Sequence, residues 1–198
     1  MKYLREFETT AAYEAAKSSL VLPNISICDD EPNGVQYNPY VPEAPKLVCV
    51  YTITQDEIES DIKLISKLEY SKNCFETMKV DGIMLDAIID TYRFETVGNH
   101  TVEYTLKNET YIEGFLFTQC TNLTSINIPS TVTDIGDYAF NECNLSTITC
   151  NAMTAPSTSY ISTNADNGTL YVPVGSTGYD AWFGEYGVLG EKWTKVEF

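Results

Sequence analysis

Residues 112–149, IEGFLFTQCTNLTSINIPSTVTDIGDYAFNECNLSTIT, contain a repeat that decides the predicted fold. Phe117 and Cys120 recur as Phe140 and Cys143, each displaced by 23 positions, and the later apolar positions recur after 22. Repeats of about 20–29 residues with this spacing are typical of solenoids, in which each turn adds a short strand and a tight bend. We therefore predict a repeat core of inward, stacked side chains. Its residues are Ile112, Phe117, Cys120, Leu123 and Ile126 in the first copy and Ile135, Phe140, Cys143, Leu145 and Ile148 in the second.

A solenoid of two repeats cannot bury its own ends, so the sequence predicts a cap on each side. Residues 47–108 are expected to form the front cap, a small antiparallel β-sandwich-like domain. Residues 109–198 then comprise the repeat block, 109–150, and a C-terminal aromatic cap, 151–198. The aromatic residues expected to close the back are Trp182, Phe183, Tyr186 and Trp193.

Short strands are predicted along residues 47–108. The segments concerned are KLVCVYTI (46–53), IKLIS (62–66) and FETMKV (75–80), the last followed by a turn at Asp81-Gly82. TYRFET and TVEYTL alternate apolar and polar residues on either side of Gly98-Asn99. That pattern predicts a hairpin with one buried face.

Residues 1–46 differ from the rest because they hold five of the eight prolines. TTAAYEAAKSSL predicts a short helix capped by Thr9 or Thr10, and the stretch after it is expected to be extended. We predict an arm that anchors the protein to another subunit or protein, although an arm wrapped on its own domain is the alternative. The apolar residues that would make the anchoring contacts are Leu4, Phe7, Tyr13, Val21, Leu22, Ile25, Val35, Tyr37 and Tyr40.

The chain is strongly acidic, with a formal net charge of −16 from 28 acids and 12 bases. No Lys or Arg occurs between Lys107 and Lys192. Such a surface repels phosphate backbones, so nucleic-acid binding is not expected. Acidic membranes and acidic polysaccharides are unfavourable partners for the same reason.

No apolar run typical of a signal peptide or a membrane span occurs in the sequence, so we expect assembly in a cytoplasm without membrane insertion. The six cysteines are scattered without CxxC pairs. A cytoplasmic product would keep them reduced. Cys120 and Cys143 occupy equivalent repeat positions, where packed thiols are favoured over a disulfide or a metal pair.

Catalysis, cofactors and metal ions have little support. The single histidine, His100, is predicted to be a solvent-facing strand residue beside the hairpin turn. Two facing carboxylates would suffice for a glycosidase, but the repeat block is too short to predict a groove. CDDEPNG (28–34) lacks the ligand spacing of an EF-hand and is best explained as a solvated acidic turn. We expect no enzyme.

One polar segment could bind carbohydrate through neutral hydrogen bonds. Its residues are Thr121, Asn122, Thr124, Ser125 and Asn127. The same composition also suits a polar solenoid face that binds nothing.

The repeat resembles the BspA-type leucine-rich repeat, whose pattern runs I-G-x-x-A-F-x-x-C-x-x-L-x-x-I-x-I-P. The second copy matches this pattern at Ile135, Gly136, Ala139, Phe140 and Cys143. The first copy departs from it, with Glu113 in place of Gly and Leu116 in place of Ala. LYVPVGSTGYDAW (170–182) is similar to the terminal cap of the family.

The arm, residues 7–39, is similar to the leading segment of virion proteins from tailed phages of gut Bacteroides-like bacteria. This resemblance implies a head fibre or capsid-decoration protein on the virion surface, anchored through residues 1–46 to the capsid or other virion proteins. It also implies a homotrimer whose repeat tip faces host-surface carbohydrate or protein. The alternatives are a tail-associated receptor-binding fibre, a bacterial BspA-like surface adhesin, which the repeat alone would suggest, and a carbohydrate-active enzyme.

An apolar surplus in the predicted β-domain also favours a trimer, since a symmetric oligomer would bury it. The residues concerned are Ile62, Leu64, Ile65, Leu68, Ile83, Leu85, Ile88 and Ile89.

Overall fold

The computed structural model describes residues 44–66, 71–161, 163–183, 188–189 and 192–198. These belong to one compact unit, Ala44–Phe198. The predicted anchoring arm lies outside the described residues, apart from its last three positions, and so does its predicted helix. Within the described ranges, no helix has the length and apolar character needed to cross a membrane.

The architecture is mainly β, as predicted. The strands are β1 (Lys46–Ile53), β2 (Ile62–Lys63), β3 (Phe75–Val80), β4 (Ile83–Met84), β5 (Thr91–Tyr92), β6 (Gly98–Leu106), β7 (Tyr111–Ile112), β8 (Leu123–Ile128), β9 (Asp134–Ile135), β10 (Thr147–Cys150), β11 (Gly168–Val172) and β12 (Trp193–Glu197). Short 3-10 helices occur at Gln55–Glu57, Ser71–Cys74 and Tyr179–Trp182.

Eight strands form one sheet in the order β12-β11-β10-β8-β1-β6-β3-β4. From β8 to β12 neighbouring strands are parallel, whereas from β8 to β4 they are antiparallel. Strands from both sides of residue 108, the predicted boundary between the β-domain and the repeat block, therefore belong to one sheet, in which β1 pairs directly with β8.

β1 shows why this sequence forms the centre of the sheet. Alternate residues from Leu47 to Ile53 are buried, which is the period of a strand with one face on the core. β1 pairs along its whole length with β6, from Lys46 opposite Thr105 to Ile53 opposite Gly98. The predicted strands 46–53 and 75–80 are confirmed, and so is the turn at Asp81-Gly82.

The predicted hairpin about Gly98-Asn99 is wrong. Both residues lie inside β6, which pairs with β1 and β3, while the short strand β5 pairs with β2. β6 has nine residues, and β1 pairs with eight of them, which the two-residue strand β5 could not do. The alternation of apolar and polar residues correctly indicated strands, but it did not indicate which strands pair with each other.

His100 is also not solvent-facing, because it is in phase with the inward residues Val102 and Tyr104 of β6. Its side chain is buried, with Nδ1 2.7 Å from Asp81 Oδ2 and Nε2 2.9 Å from the Thr96 carbonyl oxygen. The prediction failed because it placed His100 next to a turn that does not exist.

The repeats form parallel coils. Coil 1 carries β7 and β8, and coil 2 carries β9 and β10; β7 pairs in parallel with β9, and β8 with β10. A third coil follows, because Ser157 bridges Asp134 and β11 pairs with β10. Leu170 of β11 lies opposite Ile148, again 22 positions along the chain, so the segment predicted as a cap continues the solenoid.

The ten repeat-core residues are all buried. The Phe117 and Phe140 rings stack with centroids 5.6 Å apart and planes at 14°. On the antiparallel side, Tyr104 packs edge-on against Phe117 at 5.7 Å. The core is thus continuous from the antiparallel strands into the coils.

Aromatic side chains close the far end. Trp182 and Trp193 are buried, and the buried Tyr179 hydroxyl donates to the Ala152 carbonyl at 2.8 Å. Phe183 is packed partly buried against the core, whereas Tyr186 lies outside the described residues.

Most of the apolar surplus of the β-domain is absorbed within the chain. Ile62, Leu64 and Ile65 are buried. Leu85, Ile88 and Ile89 pack partly buried against the core, and Leu68 is outside the described residues. Because these six side chains pack within one chain, the packing argument for a trimer is weakened. Ile83 is the exposed member of the set among the described residues.

Replacing Phe117 or Phe140 by Ala should lower the free energy of unfolding by about 3–5 kcal/mol, because each ring is fully buried and leaves a cavity. Denaturant unfolding followed by circular dichroism measures the change. Phe198→Ala, at a ring that is 58% exposed, is the control and should change stability by less than about 0.5 kcal/mol. A loss below about 1 kcal/mol at both core positions would contradict the assigned register.

Candidate functional site

Three aromatic rings on successive coils form an exposed row, which we call the ring ladder: Phe115, Tyr138 and Tyr160. Their exposed fractions are 42%, 37% and 55%, large values for aromatic side chains. The centroids of Phe115 and Tyr138 are 5.2 Å apart, and those of Tyr138 and Tyr160 are 5.0 Å apart. These distances exceed the ~3.5–4.0 Å contact of directly stacked carbons. The planes of neighbouring rings meet at 23° and 34°, so the faces of the rings are turned largely toward one another along the row.

Backbone hydrogen bonds between coils hold the ring ladder in register. The Phe115 N–H donates to the Asp137 carbonyl at 3.1 Å, and the Tyr138 N–H donates to the Tyr160 carbonyl at 2.8 Å. The backbones of coils 1 and 2 approach closely here: a Cβ added to Gly136 would lie only 2.4 Å from the Gly114 nitrogen. The spacing of the rings is consequently fixed by the main chain.

Two of the rings sit on strained backbone. Phe115 and Tyr138 both have φ of 58°, in the left-handed region that bulky residues rarely occupy. Gly or Asn would fit this conformation with less strain. Strain of this kind concentrates at functional positions, and here it supports large aromatic side chains at the surface.

Polar side chains lie close in sequence to the rings. Gln119 donates to Glu142 at 3.1 Å, and Thr118 donates to the Tyr138 carbonyl at 3.1 Å. Asp137, directly before Tyr138, is exposed. The surface thus combines aromatic rings with neutral and acidic hydrogen-bonding groups.

The polar segment that the sequence suggested for carbohydrate binding is largely used inside the fold. Asn122 donates to the Thr52 carbonyl and to Glu57, at 3.1 and 2.9 Å. Thr124 shares a hydrogen bond with the Thr52 hydroxyl at 2.9 Å. These contacts fasten coil 1 to the antiparallel strands.

Neither predicted group of site residues supplies a described binding surface. The repeat-core residues are buried and cannot reach a ligand. The predicted anchoring residues Leu4, Phe7, Tyr13, Val21, Leu22, Ile25, Tyr37 and Tyr40 lie outside the described residues. The ring ladder was missed, although Phe115 and Tyr138 recur with the same 23-residue offset as the core.

One side-chain grouping resembles a catalytic triad, but its geometry is structural. His100 lies between Asp81 and Thr96, whose Oγ1 is 3.3 Å from Nε2. The same Nε2 is 2.9 Å from the Thr96 carbonyl oxygen, which can only accept. Both ring nitrogens of the buried His100 are thus engaged within the fold, Nδ1 by Asp81 and Nε2 by Thr96. In the described ranges, no cluster of three or more His, Cys, Asp or Glu could hold a metal ion.

A surface cavity of about 270 Å³ is lined by Asn73, Cys74, Lys107, Asn108, Tyr111 and Glu113. Burial, with a smaller contribution from Glu113, raises the pKa of the Cys74 thiol to about 11. A thiol with a raised pKa is a poor nucleophile at neutral pH, because the thiolate is the reactive form. The cavity therefore lacks an activated cysteine.

Residues 87–167 match the family model of the BspA type leucine-rich repeat region. The match supports the BspA type of these repeats. It includes all three rings of the ladder and begins within the segment predicted as a separate β-domain. Leucine-rich-repeat solenoids of this type are adhesin-like, and solenoids generally present extended binding surfaces. Searches of the curated proteins and of the solved structures found no match.

The described thiols should resist alkylation in the folded protein. Burial raises the pKa of Cys49, Cys120 and Cys150, and raises that of Cys143 to about 12. At pH 8, iodoacetamide should leave these four and Cys74 unmodified for as long as the unfolded chain needs to react fully. Peptide mass spectrometry gives the extent at each site.

Raising the pH toward 10 should accelerate modification of Cys74 first. It is only half-buried, and below its pKa of about 11 the thiolate fraction grows about tenfold per pH unit. Rapid modification of Cys120 or Cys143 at pH 8 would contradict the buried packing.

Proposed function

We propose that this protein is a phage head fibre or capsid-decoration protein that displays a repeat surface for adhesion. Residues 1–46 anchor it to the capsid or to another virion protein, and the solenoid faces outward toward carbohydrate or protein on the host. The protein acts by binding and not by catalysis.

The observation that carries the binding role is the ring ladder on an adhesin-like solenoid. Exposed aromatic rings are costly for a monomeric surface to leave in water, and rows of them mark interaction sites. Two groups that could act in catalysis are not set up for it: His100 is engaged by Asp81 and Thr96, and burial raises the pKa of the Cys74 thiol.

The virion role is supported by the arm. Its sequence resembles the leading segments of phage virion proteins, and it holds five of the eight prolines. Its apolar residues are spread along the proline-rich segment with no evident core of their own, and such a segment is suited to docking on a partner. The tail-associated fibre and the bacterial adhesin share the repeat surface but differ in what the arm contacts.

Deleting residues 1–42 should leave a folded remainder that is no longer incorporated into particles. The remainder keeps the whole compact unit from Ala44 onward, so it should show a cooperative unfolding transition of its own. Particles assembled with either form are purified and probed for the protein, with the ring-ladder variant Tyr138→Asn as an internal control for incorporation. Normal incorporation of the truncated form would refute an anchoring arm, and incorporation into tails alone would favour the tail fibre.

The full-length protein should be a homotrimer at micromolar concentration. Trimerisation would multiply weak contacts at the tip into useful avidity. Ile83 and Met84 of the edge strand β4, which are 70% and 51% exposed, are apolar surface available for the interface. Light scattering measures the mass of the full-length protein and of Ile83→Asp, which should weaken the assembly if β4 contributes. A wild-type monomer under moderate salt would refute the trimer.

A further inference from the structure

We propose that the outward face of the parallel strands binds an uncharged polysaccharide through two rows of neutral side chains, which we call the polar face. This inference rests on the proposed adhesion function, and it names a ligand class at a surface separate from the ring ladder. Three features carry it: the register of the rows, their lack of charge and their unpaired hydroxyls. The rows are Ser125, Thr147, Thr169 and Thr194, and Asn127, Thr149, Tyr171 and Val196.

The polar face is built by the parallel register of β8, β10, β11 and β12. Ile126, Ile148 and Leu170 lie opposite one another in adjacent strands, and all three are buried in the core. Because side chains alternate along a strand, the residues on either side of these three point outward. Neighbouring strands lie about 4.7–4.9 Å apart, so each row repeats one side chain per strand at that distance.

The polar face carries no charge, although the formal net charge of the chain is −16. The antiparallel strands differ, because the second row continues through Val48 of β1 to Glu103 and Lys79. The preference of strands for β-branched residues explains threonine but does not explain the missing charges. Lys195 of β12 is held by Asp180, with Nζ 2.6 Å from Oδ1. The face therefore offers no cation to a phosphate, uronate or sulfate group.

The hydroxyl groups of the polar face are available to a ligand. Within the described ranges, four of them have no hydrogen-bond partner: Thr147, Thr149, Thr169 and Thr194. In the antiparallel part of the sheet, by contrast, Thr77 and Thr105 share a hydrogen bond at 2.7 Å. A hydroxyl both donates and accepts, as a sugar hydroxyl does. A linear polymer with hydroxyls at regular intervals can therefore repeat the same contact from strand to strand.

The composition of the polar face does not suit a protein partner. The centres of protein interfaces are enriched in Tyr, Trp, Phe, Met and Arg and depleted in Ser, and hot spots contain few Ser, Thr or Val residues. Tyr171 is the one aromatic residue of the face. A neutral ligand that is rich in hydroxyls matches both the chemistry and the charge of the face, which is why we assign it to an uncharged polysaccharide.

Native affinity electrophoresis of the full-length protein tests the proposal. The gels contain hydroxyethyl cellulose, xylan or galactomannan as neutral probes, or polygalacturonate as the acidic probe. We expect retardation by at least one neutral polysaccharide and none by polygalacturonate. Added salt should not change the retardation, because contacts between neutral groups are not screened. Retardation by none of the neutral probes, or by polygalacturonate alone, overturns the proposal.

Thr147→Val combined with Thr169→Val is the decisive variant, because valine keeps the β-branched shape and strand preference of threonine without its hydroxyl. Its affinity for the retarding polysaccharide should fall about tenfold, which corresponds to the loss of two neutral hydrogen bonds. Thr131→Val, which removes an exposed hydroxyl in a turn outside the polar face, is the matched control and should bind like the wild type. Equal binding by the double variant overturns the assignment of the site.

Two further measurements test other occupants and another site. Tyr138 lies in a turn outside the strands, so Tyr138→Asn should keep polysaccharide binding. Loss of binding in Tyr138→Asn, with normal binding in the double variant, would assign the ligand to the ring ladder and overturn the proposal. Light scattering at increasing concentration detects a second copy of the chain on the face. Self-association that the double variant abolishes would show such a copy there and would also overturn the proposal.

Thermal unfolding of each variant shows that the fold is kept, and particle incorporation separates this inference from the proposed function. A protein that binds polysaccharide through the polar face but enters no particle contradicts the virion role alone. A protein that enters particles but is retarded by no neutral polysaccharide contradicts the polar-face inference alone.

Discussion

The structure depends on β8, which pairs in parallel with β10 on one side and antiparallel with β1 on the other. A stack of parallel coils would otherwise end in an open sheet edge and an uncovered apolar face, both of which promote association. β1 supplies the missing backbone partners, and Tyr104 and Phe75 cover the ring of Phe117. The antiparallel strands therefore act as the first layer of the solenoid.

Two aromatic columns run along the coils and differ by two residues in sequence. Phe117 and Phe140 form the inner one, and Phe115 and Tyr138 belong to the outer one. The inner pair is fully buried and contributes hydrophobic free energy, roughly 1.5–3 kcal/mol per ring. The outer rings remain exposed on left-handed backbone, so hydrophobic burial does not explain their size. In each of these coils, one aromatic side chain thus packs in the core, and another, two residues earlier, lies at the surface.

Sequence reasoning found the repeat because Phe117 and Phe140 are identical residues at a fixed offset. It missed the third coil, where Ala165 stands 22 positions after Cys143 and the apolar pattern persists at Leu170 and Val172. The alternation of apolar and polar residues predicted that strands exist, but it did not predict how they pair. β5 pairs with β2 and β6 pairs with β1, and both partners are distant in sequence. That error carried over to His100, whose direction was inferred from the wrong turn.

The ring ladder could not be predicted from periodicity. Aromatic residues that recur with a repeat are expected inside, whereas Phe115 and Tyr138 lie on left-handed backbone with their side chains exposed. A tight bend of this kind is set by hydrogen bonds between coils, such as that from the Tyr138 N–H to the Tyr160 carbonyl. Such contacts exist only once the chain has folded.

Each coil contributes one ring, and the main chain sets the distance between neighbouring rings. The number of rings in the row therefore equals the number of coils. In-frame duplication of a 22- or 23-residue unit, the offsets seen between successive coils, would lengthen the row by one ring and leave its spacing unchanged. Unequal recombination between neighbouring repeats in the gene produces such duplications and deletions. The length of the row of rings is therefore a genetic property that changes by one coil at a time. Such a change needs no new fold, and it alters contacts between existing coils only at the point of insertion.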